Sequence, residues 1–224
     1  DGLVDLCVLT TTGPLLFQNS KTGFKRAANI QLPAERFESA VWLDYDHDYD
    51  LDLVLLGATA RLMRNQLPSG FVNRTADIPF AVGRATSATT TRVIPDTKSH
   101  DLVITYRDRP AVLYKDRLGG RYEAQPIPAV PAGAAAITAA DLNNDSTPDL
   151  VWNSGAALNK DGRFTTLPWA AKGSFALADF ESRGLLDAAA SGWILRNEGQ
   201  ANFTAKQRTA VGLPDFPSAS QLGH

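Results

Sequence analysis

The stretch LDYDHDYDLDLVLLG, residues 43–57, places Asp44, Asp46, Asp48, Asp50 and Asp52 at alternate positions and then turns apolar. Carboxylates packed this tightly repel one another, so something positively charged has to offset them. The pattern recurs. ADLNNDSTPDLVWNSG, residues 140–155, carries Asp141, Asn143, Asp145 and Asp149 ahead of the run LVW and a glycine. ADFESRGLLDAAASG, residues 178–192, keeps Asp179, Glu181 and Asp187. The N-terminal DGLVDLCVLTTTG fits the second half of the pattern, aligning Asp1 with Asp48 and Asp5 with Asp52, and PDTKSHDLVITY, residues 95–106, retains only the last acid, Asp101. The last acid of each copy falls at 5, 52, 101, 149 and 187, a spacing of 38 to 49 residues.

The segment after each copy repeats as well. LLFQNSKTGF, RLMRNQLPSGF, VLYKDRLGGRY, AALNKDGRF and ILRNEGQANF each read as a strand, a polar turn and an aromatic, ending at Phe24, Phe71, Tyr122, Phe164 and Phe203. This register predicts a hairpin anchored by one core ring per repeat. With one strand before each acidic loop (SAVWLD, AAITAAD, SFALAD) and one after it (DLVLLG), each unit reads as four short strands. No segment sustains helical apolar spacing over three turns, and 17 Gly and 13 Pro punctuate the chain, so the fold class is all-β. Four-stranded units at this period indicate a β-propeller. The units are expected at roughly 1–37, 38–86, 87–133, 134–172 and 173–217 of a single domain, with a closing strand at 218–224. A closed five-blade ring and a piece of a larger propeller are both compatible with this reading.

Bulk properties narrow the function. A net charge of −2 with Lys and Arg scattered among acids leaves no footprint for nucleic acid, and no apolar run approaches the length of a membrane-spanning helix. The single Cys7, in LVDLCVL, reads as a buried structural thiol. His47, His100 and His224 are far apart and share no metal-binding spacing, with His47 expected to face solvent. No nucleophile elbow or phosphate-binding loop is present, so an enzyme is not expected. Among the tryptophans, Trp42 and Trp152 read as core, and Trp169 as the best surface candidate. The chain starts at Asp1 without a signal-peptide pattern and reads as part of a longer polypeptide.

The acidic loops suit a hard divalent cation, which takes six to eight oxygens at about 2.3–2.6 Å. In the second unit Asp44, Asp46, Asp48 and Asp52 are the expected carboxylate ligands, with the backbone carbonyl of Asp50. In the fourth unit these roles fall to Asp141, Asn143, Asp145 and Asp149, with the carbonyl of Thr147. Calcium loops favour glycine at the sixth position, where Tyr49 and Ser146 stand here, so strain or a different curl is expected. In the fifth unit Arg183 replaces the third acid, and its guanidinium is expected to neutralise Asp179, Glu181 and Asp187 in place of an ion. The third unit, with Lys98 and His100, has too few acids for a calcium site.

The acidic loop followed by an apolar strand and a hairpin such as LMRNQLPSGFVNRTADI or ILRNEGQANFTAKQRTAVGL resembles the FG-GAP or VCBS repeat of integrin α-subunit propellers and bacterial extracellular proteins. The likeness is nearest to the cartilage-acidic-protein and ASPIC/UnbV branch. It implies a secreted, extracellular or periplasmic propeller with two structural calcium ions that recognises a protein or glycan. A scaffold within a larger secreted protein is the alternative, and a carbohydrate-active enzyme a more distant one.

Overall fold

A computed structural model describes residues 3–95 and 98–212. They form an all-β protein in five antiparallel sheets. The first has three strands: β1 (Leu6–Thr10), β2 (Gly13–Gln18) and β3 (Lys25–Arg26). The second holds β4 (Phe37–Leu43), β5 (Asp52–Gly57), β6 (Ala60–Asn65) and β7 (Phe71–Asn73). The third holds β8 (Ala85–Thr91), β9 (Asp101–Tyr106), β10 (Ala111–Asp116) and β11 (Tyr122–Ile127). The fourth is β12 (Thr138–Ala140), β13 (Asp149–Trp152), β14 (Gly155–Lys160) and β15 (Arg163–Leu167), and the fifth β16 (Phe175–Ala178), β17 (Asp187–Ala190), β18 (Trp193–Asn197) and β19 (Phe203–Gln207). Every sheet is a simple meander. The helical turns Thr75–Asp77 and Thr209–Val211 are three residues each, and no helix among the described residues is long and apolar enough to cross a membrane.

The four-strand unit is therefore present in sheets two to five, and the first sheet lacks the strand that precedes an acidic loop elsewhere. The expected closing strand at 218–224 lies outside the described residues. The expected boundaries 37/38 and 86/87 run one or two residues late, because β4 begins at Phe37 and β8 at Ala85.

Composition tracks strand position. The strands after the loops, DLVLLG and DLVITY, are buried along their whole length. A strand covered on both faces loses the apolar–polar alternation of a half-exposed one. Of the strands before the loops, β8 carries small and hydroxyl side chains throughout, ATSATTT. This lets neighbouring sheets approach closely: the Thr86 hydroxyl donates to the Ala134 carbonyl at 2.7 Å, and the Ile137 amide donates to Ser87 Oγ at 3.0 Å. Both β4 and β8 carry a bulge one residue into the strand, between Phe37 and Ser39 and between Ala85 and Ser87. A bulge shared at equivalent positions belongs to the repeat and increases local twist.

Four of the five core clusters among the described residues join consecutive sheets, and the fifth lies within the last sheet and the segment leading into it. Cys7 and Leu9 pack with Leu53, Leu55 and Met63, and Val54, Leu56 and Leu62 with Leu102, Ile104 and Tyr114. Val103 and Leu113 pack with Leu150 and Trp152, and Val151 and Ala156 with Leu177 and Phe203. Among the described residues, no cluster joins the first sheet to the fifth, and no closed ring is found. Cys7 is half-buried, and burial pushes its thiol up to about 11, as expected for a structural cysteine.

The anchoring rings hold in four sheets. Tyr122 is buried, and Phe71, Phe164 and Phe203 pack against the cores. Phe24 is the exception at 50% exposed, since β3 is only two residues long and gives its turn little to fold against. Trp152 is core as expected, while Trp42 is half-buried beside the second-sheet core. Trp169, the best surface candidate, is half-buried: it lines a surface groove with Pro128, Pro131 and Leu167, while its ring packs edge-on against Phe175 and Phe203, with centroids 6.4 and 5.1 Å away. The apolar fifth sheet supplies aromatic neighbours that the local sequence LPWAAKG did not suggest.

Candidate metal centre

The acidic loops lie between the first and second strands of their sheets, and a repeated tie fixes them. In every unit the last acid accepts the backbone amide at the end of the next hairpin strand. Asp5 takes Asn19 N, Asp52 takes Asn65 N, Asp101 takes Asp116 N, Asp149 takes Asn159 N and Asp187 takes Asn197 N, at 2.7–2.9 Å. This supports aligning Asp5 and Asp101 with the complete loops. In three units the other oxygen accepts the amide of the second loop residue: Tyr45 to Asp52, Val93 to Asp101 and Leu142 to Asp149, at 2.9–3.0 Å.

Asp52 and Asp149 are therefore more than candidate ligands. Each is fully buried with both carboxylate oxygens engaged by backbone amides, so each closes its loop. Burial, reinforced by neighbouring acids, outweighs these amides and pushes both carboxyls up to about 6.

Adjacent sheets are stitched through the same loops. The Asn159 side-chain amide donates to the Val93 carbonyl at 2.7 Å, and the Asn197 amide to the Leu142 carbonyl at 2.8 Å. Asn144 Nδ2 also donates to Gly184 O at 2.8 Å, linking the fourth loop to the fifth. These bonds gather the acidic loops along one end of the sheets.

The loop curl is shared. The fourth and sixth loop positions have positive φ in all three acidic loops: His47 at 65° and Tyr49 at 71°, Asn144 at 59° and Ser146 at 67°, Ser182 at 53° and Gly184 at 74°. Tyr49 and Ser146 thus adopt the conformation of the expected glycine, at a cost of about 1 kcal/mol each. Strain is the outcome, and a different curl is not.

The second loop brings three expected ligands together. Carboxylate oxygens of Asp44, Asp46 and Asp48 lie within 4.8 Å of one another, and Asp50 is exposed. One positive group stands among them: Arg64 lies 2.8 Å from Asp46 Oδ2 through Nε and 2.9 Å from Asp48 Oδ2 through an Nη. Even so, Oδ1 of Asp44 and Oδ1 of Asp46 are buried with no hydrogen-bond donor. Burial also raises the Asp46 carboxyl.

In the fourth loop the acids turn toward their own backbone. Asp141 accepts the amides of Asp145 and Ser146 at 3.2 and 2.8 Å, Asp145 accepts the Thr147 amide at 2.8 Å, and Asn143 Nδ2 donates to Asp145 at 2.9 Å. Leu158 stands where Arg64 stands in the second sheet, each directly before the asparagine whose amide the last loop acid accepts, Asn159 and Asn65. Among the described residues, no ion pair reaches these acids.

The fifth loop carries its own cation. Arg183 lies 2.8 Å from Glu181 and 3.1 Å from Asp187, and donates to the Asn197 carbonyl at 2.9 Å. Arg196, the counterpart of Arg64, lies 2.8 Å from Glu181 and lowers its pKa. The guanidinium of Arg183 meets two of the three expected acids. Asp179 is held instead by the backbone amides of Arg183 and Gly184, at 2.9 and 2.6 Å, which lower its pKa.

One grouping was invisible in the sequence. His47, expected to face solvent, is half-buried, with its ring 4.9 Å from that of His100 on the neighbouring sheet. The two are 53 positions apart and meet only because the second and third loops abut. Neither a scan against protein-family models nor a search of curated proteins finds a match to this chain.

Proposed function

We propose that the five sheets are blades of a propeller, in a ring of five or within a larger one, and that the second and fourth acidic loops each hold a structural calcium ion. The domain then serves extracellular recognition of a protein or glycan. The observation that carries the calcium reading is the close grouping of Asp44, Asp46 and Asp48, with two buried carboxylate oxygens that Arg64 leaves without a donor. Buried carboxylates in native proteins are paired or coordinate metal.

Comparison of the loops supports the same reading. The fifth loop is neutralised by Arg183 and Arg196, the second partly by Arg64, and the fourth by no ion pair among the described residues. A bound dication completes that series. An ion held by one contiguous loop with protein oxygens stabilises the fold rather than performing chemistry.

For the partner, a groove of about 360 Å³ between the first and second sheets favours protein over glycan. Its walls include Val4, Leu16, Phe17, Trp42, Leu67 and Phe71, which suit an apolar segment better than a hydroxyl-rich sugar.

Calcium that binds only the folded state stabilises by about 2.7 kcal/mol per site at a hundredfold excess over Kd. For a domain of this size, melting in calcium is expected to exceed melting in excess chelator by roughly 5–10 °C per site. Scanning calorimetry measures this directly, and identical curves in calcium and chelator would contradict the proposal.

A further inference from the structure

The meeting of the second and third loops brings together two imidazoles that the calcium reading does not use. At the two later junctions between sheets an asparagine amide reaches back to the preceding loop, from Asn159 and from Asn197. In the third sheet that position is Asp116, which cannot donate. Its buried carboxylate instead contacts His47 Nε2 at 2.7 Å and accepts the backbone amides of His100 and Leu118, at 2.8 and 2.7 Å. His100 Nδ1 lies 3.1 Å from the Asp44 carbonyl oxygen.

A ring nitrogen of His47, a ring nitrogen of His100 and a carboxylate oxygen of Asp44 lie within 4.8 Å of one another. Asp44 is 8% exposed, and its Oδ1 is buried without a partner. From this geometry we infer a second kind of metal site at the junction: a divalent, imidazole-preferring transition ion such as zinc, held by His47, His100 and Asp44.

The donor set decides the metal class. Calcium takes oxygen ligands, whereas two imidazoles and a carboxylate suit zinc and its neighbours. Zinc bonds of about 2.0–2.1 Å place tetrahedral ligand atoms about 3.3 Å apart, so small side-chain rotations close the site. The outer partners are also in place. Asp116 contacts one ring and a backbone carbonyl the other, the arrangement that orients metal-bound imidazoles. Three protein ligands leave a fourth position for water.

Asp44 belongs to both groupings, so the test separates the two ions. Cobalt(II), a spectroscopic substitute for zinc, is titrated into the wild-type protein in the presence of calcium. The expected result is one equivalent bound with visible tetrahedral absorption, displaced by zinc. The band is expected to vanish in His47→Ala and in His100→Ala, to survive in His224→Ala, and to weaken in Asp116→Asn with a loss of affinity of about 10–100-fold. In the two histidine variants calcium-dependent melting persists, which distinguishes failure of this site from failure of the calcium reading.

Should the histidine variants not fold, diethyl pyrocarbonate modification of the wild type answers the same question, with zinc expected to protect two of the three histidines. The proposal is overturned by absence of the band in the wild type, by a band that persists in the double histidine variant, by displacement with calcium alone, or by unprotected histidines.

Discussion

Replacing Trp152 with alanine lowers stability by about 3–5 kcal/mol, the range for removing a large aromatic from a core. The ring is 2% exposed and sits where the third and fourth sheets meet, with Val103, Leu113, Ile137 and Leu150 in the same cluster. Its place is shaped from both sides. Gly155 pairs with Trp152 across the turn, and a Cβ there would come within 2.3 Å of the indole ring. A cavity of this size cannot be refilled by backbone drawn in from one sheet without disturbing the other. The melting temperature is expected to fall by roughly 6–20 °C, at about 2–4 °C per kcal/mol. Trp152→Phe costs less, because the indole Nε1 is buried without an acceptor and phenylalanine removes that unpaired donor. Chemical denaturation of the two variants checks the order, and a loss below about 1 kcal/mol for Trp152→Ala contradicts this view of the inter-sheet core.

Asp149→Ala is expected to be nearly as severe, with the loss present even in chelator. Its oxygens accept the Leu142 and Asn159 amides at 2.9 and 2.7 Å in a fully buried setting. Removing them strands two buried N–H groups at about 1–3 kcal/mol each. Asp145→Ala, at an exposed loop position, provides the contrast: in chelator it changes stability by about 0.5 kcal/mol or less. Denaturation of both variants with and without calcium separates the roles, and equal losses in chelator would show that Asp149 is not a structural tie.

These two residues mark what was legible in the sequence. Alternating acids, an apolar run after them and a hairpin ending in an aromatic recur at a regular spacing, and spacing survives where individual residues erode. That is why the four-strand unit, the loop positions and the alignment of Asp5 with Asp52 could be read from local pattern alone. The curl is not decided by local sequence, because Tyr49 and Ser146 stand where a glycine is expected, and only the folded loops show both residues at positive φ.

The features that escaped the sequence depend on contacts between strands and between units. Asp52 and Asp149 look like ligands in a linear pattern, and only the folded sheet shows the amides that occupy them. Arg64 gives no sign of facing Asp46 and Asp48 until β6 is laid beside the loop. His47 and His100 belong to different repeats and meet only where the sheets pack. Phe24 fails as an anchor because β3 is short, a feature that pairing between strands decides and local propensity does not.

The central claim is that the second and fourth loops each hold one calcium ion. Isothermal titration of calcium into chelator-stripped protein tests it most directly. Two equivalents are expected for the wild type, one each for Asp46→Asn and Asp145→Asn, and none for the double variant. A wild type that takes up no calcium, or a double variant that still binds two ions, would contradict the account.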